Sequence, residues 1–258
     1  MTILIDQEAI SGTIPDEIAL LWKLENLIMK NNRFLTGTLP DAIKNNTALR
    51  QIGLHNNSLI GTLPDGIYKL PLLTYLNLSD NHFSGSLSKD LGQLTKLEKL
   101  ILDNNDFTGH LLPLPLRRTK INVLSLSGNR FNSNLVPAMR FLHNLEYLYL
   151  DNNEFMGSLP SFIGSMNQLR SLSLSQNQFT GTLPIELGEL SNLRYLNIAE
   201  NSFRGQMQES MVGNFTKLEI LSLEQNNFTG TLPRSFGYLS SLGALNYTWI
   251  KHGIDIGQ

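Results

Sequence analysis

A unit of about 24 residues returns ten times along this chain, with the skeleton L-x-x-L-x-L-x-x-N-x-F-x-G-x-L-P. A period of that length dictates stacked units that share a continuous core, in place of one central core. The skeleton asparagines are Asn32, Asn57, Asn81, Asn105, Asn129, Asn153, Asn177, Asn201 and Asn226, and Glu8 holds the same place in the first unit. Spacing is 24 at most steps and 25 at two, with a residue added at Phe34-Leu35-Thr36-Gly37 and another around Val212 to Phe215. Each addition predicts a local bulge.

Within the unit, leucines alternate with other residues, as in Leu148-Tyr149-Leu150 or Leu172-Ser173-Leu174. Period two means a short strand with one buried face, and stacking pairs such strands into a parallel sheet. The asparagine after the strand can donate to and accept from backbone groups of neighbouring coils that would otherwise be buried unpaired. Two positions on comes an aromatic column, Phe34, Phe83, Phe107, Phe131, Phe155, Phe179, Phe203 and Phe228, interrupted by Leu59; its fixed place between asparagine and glycine predicts a stacked, buried spine. Glycine then allows a tight backbone path. Proline stiffens the return, and the P-x-x-I-G-x-L stretch is too short for a full helix and predicts helical or 3₁₀ turns on the outside of the coil.

These features, best seen in LSLSQNQFTGTLPIELGEL (172–190) and LEQNNFTGTLPRSFGYL (223–239), resemble the plant-type leucine-rich repeat over almost the whole chain. The resemblance implies an α/β repeat fold: a right-handed solenoid with a parallel sheet on its concave face and short turns on its convex face. One array of about ten units is expected over residues 1–250, followed by a tail at 251–258. It further implies non-catalytic recognition, most naturally in the ligand-binding ectodomain of a receptor-like protein or kinase at a cell surface. A soluble inhibitor or scaffold that binds another protein, such as a cell-wall-degrading hydrolase, is the alternative. Ice binding is a remote one, because the residues after the glycines run Thr13, Thr38, Thr62, Ser86, His110, Asn134, Ser158, Thr182, Gln206, Thr231 and are interrupted in the middle.

Bulk properties narrow the partner. A net charge of −2 gives no basic field for a polyphosphate, which argues against nucleic acid. There is no cysteine, so neither redox compartment is indicated. No run of some 18 apolar residues spans a membrane. Met1 enters a repeat directly, with Ile3 and Ile5 in strand positions and no leader ahead of them; this reads as a piece of a longer extracellular protein, with a cytoplasmic scaffold as the alternative if the frame is complete.

Chemistry is not signalled. His55, His82, His110, His143 and His252 sit at different offsets and form no metal-ligand spacing. Asp103-Asn104-Asn105-Asp106 lacks the placement of a calcium loop and is explained by the repeat. No phosphate loop or nucleophile elbow stands outside the periodic pattern. Neither enzyme activity, metal nor cofactor is expected. The fifth unit replaces P-x-x-I-G by Leu112-Pro113-Leu114-Pro115-Leu116 and follows it with Arg117, Arg118 and Lys120, an irregular outer loop.

Specificity must then lie in the residues that flank the strand leucines, which point to the concave face. Aromatics gather in the middle of that surface. A protein- or peptide-binding patch is expected around Tyr147, Tyr149 and Asp151, with Tyr75, Lys99, Ile101, Asp103 and Tyr195 about it, since tyrosine combines contact area with a hydrogen-bonding tip. Strand propensity alone also favours tyrosine and isoleucine there. Six N-x-S/T sequons occur, at Asn45, Asn56, Asn77, Asn214, Asn227 and Asn246; Asn45 and Asn214 belong to outer turns and are the candidate glycosylation sites.

Overall fold

In the computed structural model, which describes residues 1–111 and 119–246, the 24-residue period becomes one coil per repeat. The chain divides into two units, Met1–Phe131 and Asn132–Gln258. The proline-rich stretch 112–118 and the tail 251–258 lie outside the described residues.

In the first unit the inner strands Thr2–Asp6, Asn26–Lys30, Gln51–Gly53, Tyr75–Asn77, Lys99–Ile101 and Val123–Ser125 pair in parallel. Their register brings Leu27, Ile52, Leu76, Leu100 and Leu124 into one buried column. In the second unit Tyr147–Tyr149, Ser171–Ser173, Tyr195–Asn197, Ile220–Ser222 and Ala244–Asn246 pair in the same way, aligning Leu148, Leu172, Leu196, Leu221 and Leu245. Period two thus turns these aligned leucines inward, all buried but Leu245 of the last coil, which is half-buried, and leaves their neighbours on the opposite face.

The asparagine ladder is satisfied on both atoms of the amide. Asn81 Nδ2 donates to Leu54 O of the preceding coil at 2.8 Å and to Leu78 O at 3.1 Å, and its Oδ1 accepts the Leu59 N–H at 2.9 Å. Asn177 repeats this with Leu150 O at 2.9 Å, Leu174 O at 3.1 Å and the Phe155 N–H at 2.9 Å. A side chain that caps groups in two coils ties the stack along its axis. Beneath the ladder the rings stack: Phe83, Phe107 and Phe131 at 6.3 and 6.4 Å in the first unit, and Phe155, Phe179, Phe203 and Phe228 at 6.3, 5.9 and 6.4 Å in the second.

Phe34 departs from the expected spine. It is 50% exposed, while Leu35 is 1% exposed. The added residue shifts the register between Asn32 and Thr36, so Leu35 takes the core position and Phe34 turns outward, where the Arg33 guanidinium lies 5.0 Å from its ring centroid. The other addition has a different outcome. The outer turns are 3₁₀, as in Asp41–Asn45 and Ile185–Glu189, but Glu209–Gly213 is α-helical, with the Val212 N–H reaching back to Gln208 O at 3.1 Å. One more residue lengthens the turn where a bulge was expected.

A second set of strands lies between the ladder and the proline. In the first unit it includes Asn57–Gly61, His82–Gly85 and Asp106–Gly109, and in the second Gln178–Gly181 and Ser202–Gly205. Close stacking there requires glycine. Gly205 sits at φ 84°, and a Cβ on it would lie 2.8 Å from Thr182 Cγ2 of the preceding coil. The threonine row is therefore a packing feature: Thr13, Thr38 and Thr62 seat their methyl groups against Gly37, Gly61 and Gly85 in the same way.

Candidate functional site

On the inner face of the second unit, three adjacent strands build a hollow of about 520 Å³ lined by Tyr147, Tyr149, Asp151, Arg170, Ser171, Ser173, Arg194 and Tyr195. The register explains it. Tyr147 aligns with Ser171 and Ser171 with Tyr195, while Tyr149 aligns with Ser173. Small buried serines thus form a floor between aromatic walls, and two strand spacings place Tyr147 and Tyr195 roughly 10 Å apart along the stack. The Tyr147 and Tyr149 rings are 6.4 Å apart and tilted by 32°. Within the described residues the hydroxyls of Tyr147, Tyr149 and Tyr195 have no hydrogen-bond partner.

Asp151 has a different task. Its carboxylate accepts from the Ser173 hydroxyl, from the Ser175 N–H at 3.0 Å and from the Ser175 hydroxyl at 2.8 Å. It ties its coil to the next and fixes the floor of the hollow. Arg170 and Arg194 border the hollow, and each is paired with a glutamate, Arg170 Nε to Glu146 at 2.8 Å and Arg194 Nη1 to Glu219 at 2.6 Å. These pairs are exposed and strengthen the fold little, but they set the direction of each guanidinium and leave further N–H donors on it.

The remaining members of the expected patch lie in the first unit. Tyr75 aligns with Lys99, and Ile101 follows on the same strand with Asn77 as its neighbour. Tyr75 is held down, its hydroxyl accepting from Asn77 Nδ2 at 3.1 Å. Asp103 mirrors Asp151: it accepts from the Ser125 hydroxyl at 2.6 Å and the Ser127 N–H at 2.8 Å. Its neighbours in the calcium-like stretch are also engaged, Asn104 with Asp80 at 2.9 Å, Asn105 in the ladder and Asp106 with Arg130 at 2.7 Å. Among the described residues no group of three His, Cys, Asp or Glu side chains could hold a metal ion.

Sequence reasoning missed Arg170, Arg194, Ser171 and Ser173. The serines were detectable as small residues between aromatics in one column; the arginines carried no signal, because the same column holds Glu25, Glu98, Asn122 and Glu146.

Two family models described as leucine rich repeat match the chain, one at residues 23–83 and 143–203, the other at 217–239. The chain belongs to the leucine-rich-repeat family. Among solved structures, this leucine-rich-repeat chain is similar to a TDR receptor, with 30% identity, TM-score 0.92 and coverage of 96% of this chain and 42% of that one. It is similar also to the Arabidopsis receptor kinase HAESA in complex with the peptide hormone IDA and the co-receptor SERK1, with 30% identity, TM-score 0.90 and coverage of 96% and 41%. A plant ice-binding protein shares the fold alone, at 23% identity, TM-score 0.76 and coverage of 96% and 80%. The chain spans about two fifths of the length of the two receptor chains it matches. No curated protein matches it, and no helix among the described residues is long and apolar enough to cross a membrane.

Proposed function

We propose that the chain is a non-enzymatic recognition module of a receptor-like protein or kinase at a cell surface, binding a protein or peptide ligand on its inner sheet face. The hollow of the second unit carries this reading. Three tyrosines present hydroxyls without a partner among the described residues around a floor of serines, so a ligand gains ring contact and hydrogen bonds from groups already fixed by strand pairing. Tyr147, Tyr149 and Tyr195 contact the ligand, Arg170 and Arg194 contribute donors at its rim, and Asp151 holds the floor. Tyr75, Lys99, Ile101 and Asp103 belong to the binding surface of the first unit. The HAESA structure, which contains a peptide hormone, supports the ligand class.

The test is selection from a displayed peptide library on the immobilised chain, followed by titration of the selected peptides. Y147A/Y149A is expected to lose at least about tenfold in affinity, since each hot-spot aromatic contributes about 2 kcal/mol or more. Unchanged affinity in a variant with the parent's circular dichroism would remove the hollow as the site.

A further inference from the structure

Six sequons punctuate the sequence, and the recognition reading uses none of them; the fold sorts them. N-linked glycosylation joins asparagine Nδ2 to the anomeric carbon of a sugar. The amide nitrogen loses one proton, the new C–N bond forms, and the lipid diphosphate of the oligosaccharide donor leaves. The product carries a bulky, solvated group, so the folded chain must hold that nitrogen free of internal bonds and facing water.

Asn45 meets both conditions. It is the exposed last residue of the turn Asp41–Asn45, and its side chain makes no hydrogen bond within the described residues. Its neighbour Asn46 is buried and donates to Ile18 O and Leu21 O, each at 2.9 Å. The coil is thereby pinned at the residue that follows the acceptor. Asn214 caps the helix Glu209–Gly213 with its backbone N–H on Met211 O, and its side chain is exposed and makes no hydrogen bond within the described residues, with Nδ2 beside Gly188 of the preceding turn. Asn227 stands exposed on the outer strand Asn227–Phe228, while Phe228 beside it is buried in the ring stack. The third residues of these sequons, Thr47, Thr216 and Thr229, are exposed as well.

Asn77 is the opposite case. It is 8% exposed, its Nδ2 donates to the Tyr75 hydroxyl at 3.1 Å, and its Oδ1 accepts from the Ser79 N–H at 3.0 Å and the Ser79 hydroxyl at 2.9 Å. A sugar on that nitrogen has no room in the fold. Asn56 and Asn246 are exposed, but each already spends Nδ2 on a neighbouring coil, on Asn31 Oδ1 at 2.8 Å and Ser222 Oγ at 3.3 Å.

We infer that Asn45, Asn214 and Asn227 carry N-linked glycans and that Asn77 does not. The sugars then sit on outer turns and the outer sheet, and the inner strands that hold the tyrosines stay bare. The inference rests on the cell-surface reading, because the donor is met in a secretory compartment. To test it, the chain is given a heterologous secretion signal and produced in insect cells. Glycans are removed from the folded fraction with an amidase in heavy-oxygen water, and the peptides are mapped by mass spectrometry. Label is expected at Asn45, Asn214 and Asn227 and none at Asn77. Label at Asn77 in folded protein, or any of the other three bare throughout, overturns the assignment. If the chain stays inside the cells, the retained, membrane-enclosed fraction is mapped and judged by the same criteria. The N45Q/N214Q/N227Q variant is expected to lose most of the gel-mobility shift that the amidase removes from the parent; an undiminished shift also counts against it. Because the signal is supplied, failure here is distinct from failure of the recognition reading, which is judged by peptide binding of Y147A/Y149A.

Discussion

At the scale of single residues, position in the coil outweighs residue type. Phe34 and Leu35 are adjacent, and the added residue between Asn32 and Gly37 puts the smaller one in the core. Truncating a buried leucine removes its transfer energy and leaves a cavity, at a cost of about 2–5 kcal/mol. Truncating an exposed ring away from any special feature costs within about 0.5 kcal/mol. L35A is therefore expected to lower the urea midpoint markedly and F34A hardly at all. A larger loss in F34A than in L35A would return Phe34 to the spine. The same logic separates the aspartates from the tyrosines in the hollow: Asp151 is bound to Ser173 and Ser175, whereas the tyrosine hydroxyls have no partner within the described residues.

At the scale of elements, the inner strands, the ladder and the outer turns were legible because each depends on side-chain type at a fixed offset. The outer sheet was not. Its strands are short and pair through backbone groups, and the residues flanking Phe107, Phe131 and Phe155 include aspartate, arginine and glutamate, which carry no strand signal. The glycine that closes these strands was legible as a tight path, but its reason is double: a left-handed backbone and a threonine methyl of the preceding coil. A non-glycine residue in that conformation costs roughly 1–2 kcal/mol. G205A is expected to lose that amount plus the clash of its Cβ with Thr182 Cγ2, and T182S, which removes the methyl, should recover the second part only. Full recovery in the double variant would show that the backbone carries no strain; no recovery would show that the methyl is not the obstacle. The hollow is legible in the same partial way, since tyrosines mark its walls but only strand register shows that serines lie between them.

At the scale of the whole molecule, net charge is small and several groups whose pKa values shift on folding contribute to the response to acid. His55, half-buried, has its pKa lowered first by burial and then by Lys30, against weaker opposite pulls from Asp80 and Asp6. Its buried Nδ1 has no hydrogen-bond partner among the described residues. Because the unfolded chain binds this proton more readily than the folded one, the contribution of His55 is full above the ordinary histidine value of 6.5 and is lost as pH falls from there through the lowered folded value. The carboxylates act in the same direction at lower pH. Asp41 is lowered by Lys44 and the Gly66 N–H, Glu209 by the Ser235 and Arg234 N–H groups, and Asp6 by Asn31 and Lys30. Their contribution is present above the ordinary values of 3.8 and 4.5 and disappears as pH falls through the folded values. Thermal unfolding followed from pH 8 to 3 should thus show two steps of decreasing Tm, a first one beginning near the histidine value and a second in the carboxylate range. H55N, which keeps a polar side chain without the titration, is expected to abolish the first step and leave the second. If H55N declines in parallel with the parent between pH 6.5 and 5, burial of His55 does not govern the acid response. The decline would then belong to other groups that change protonation in that range.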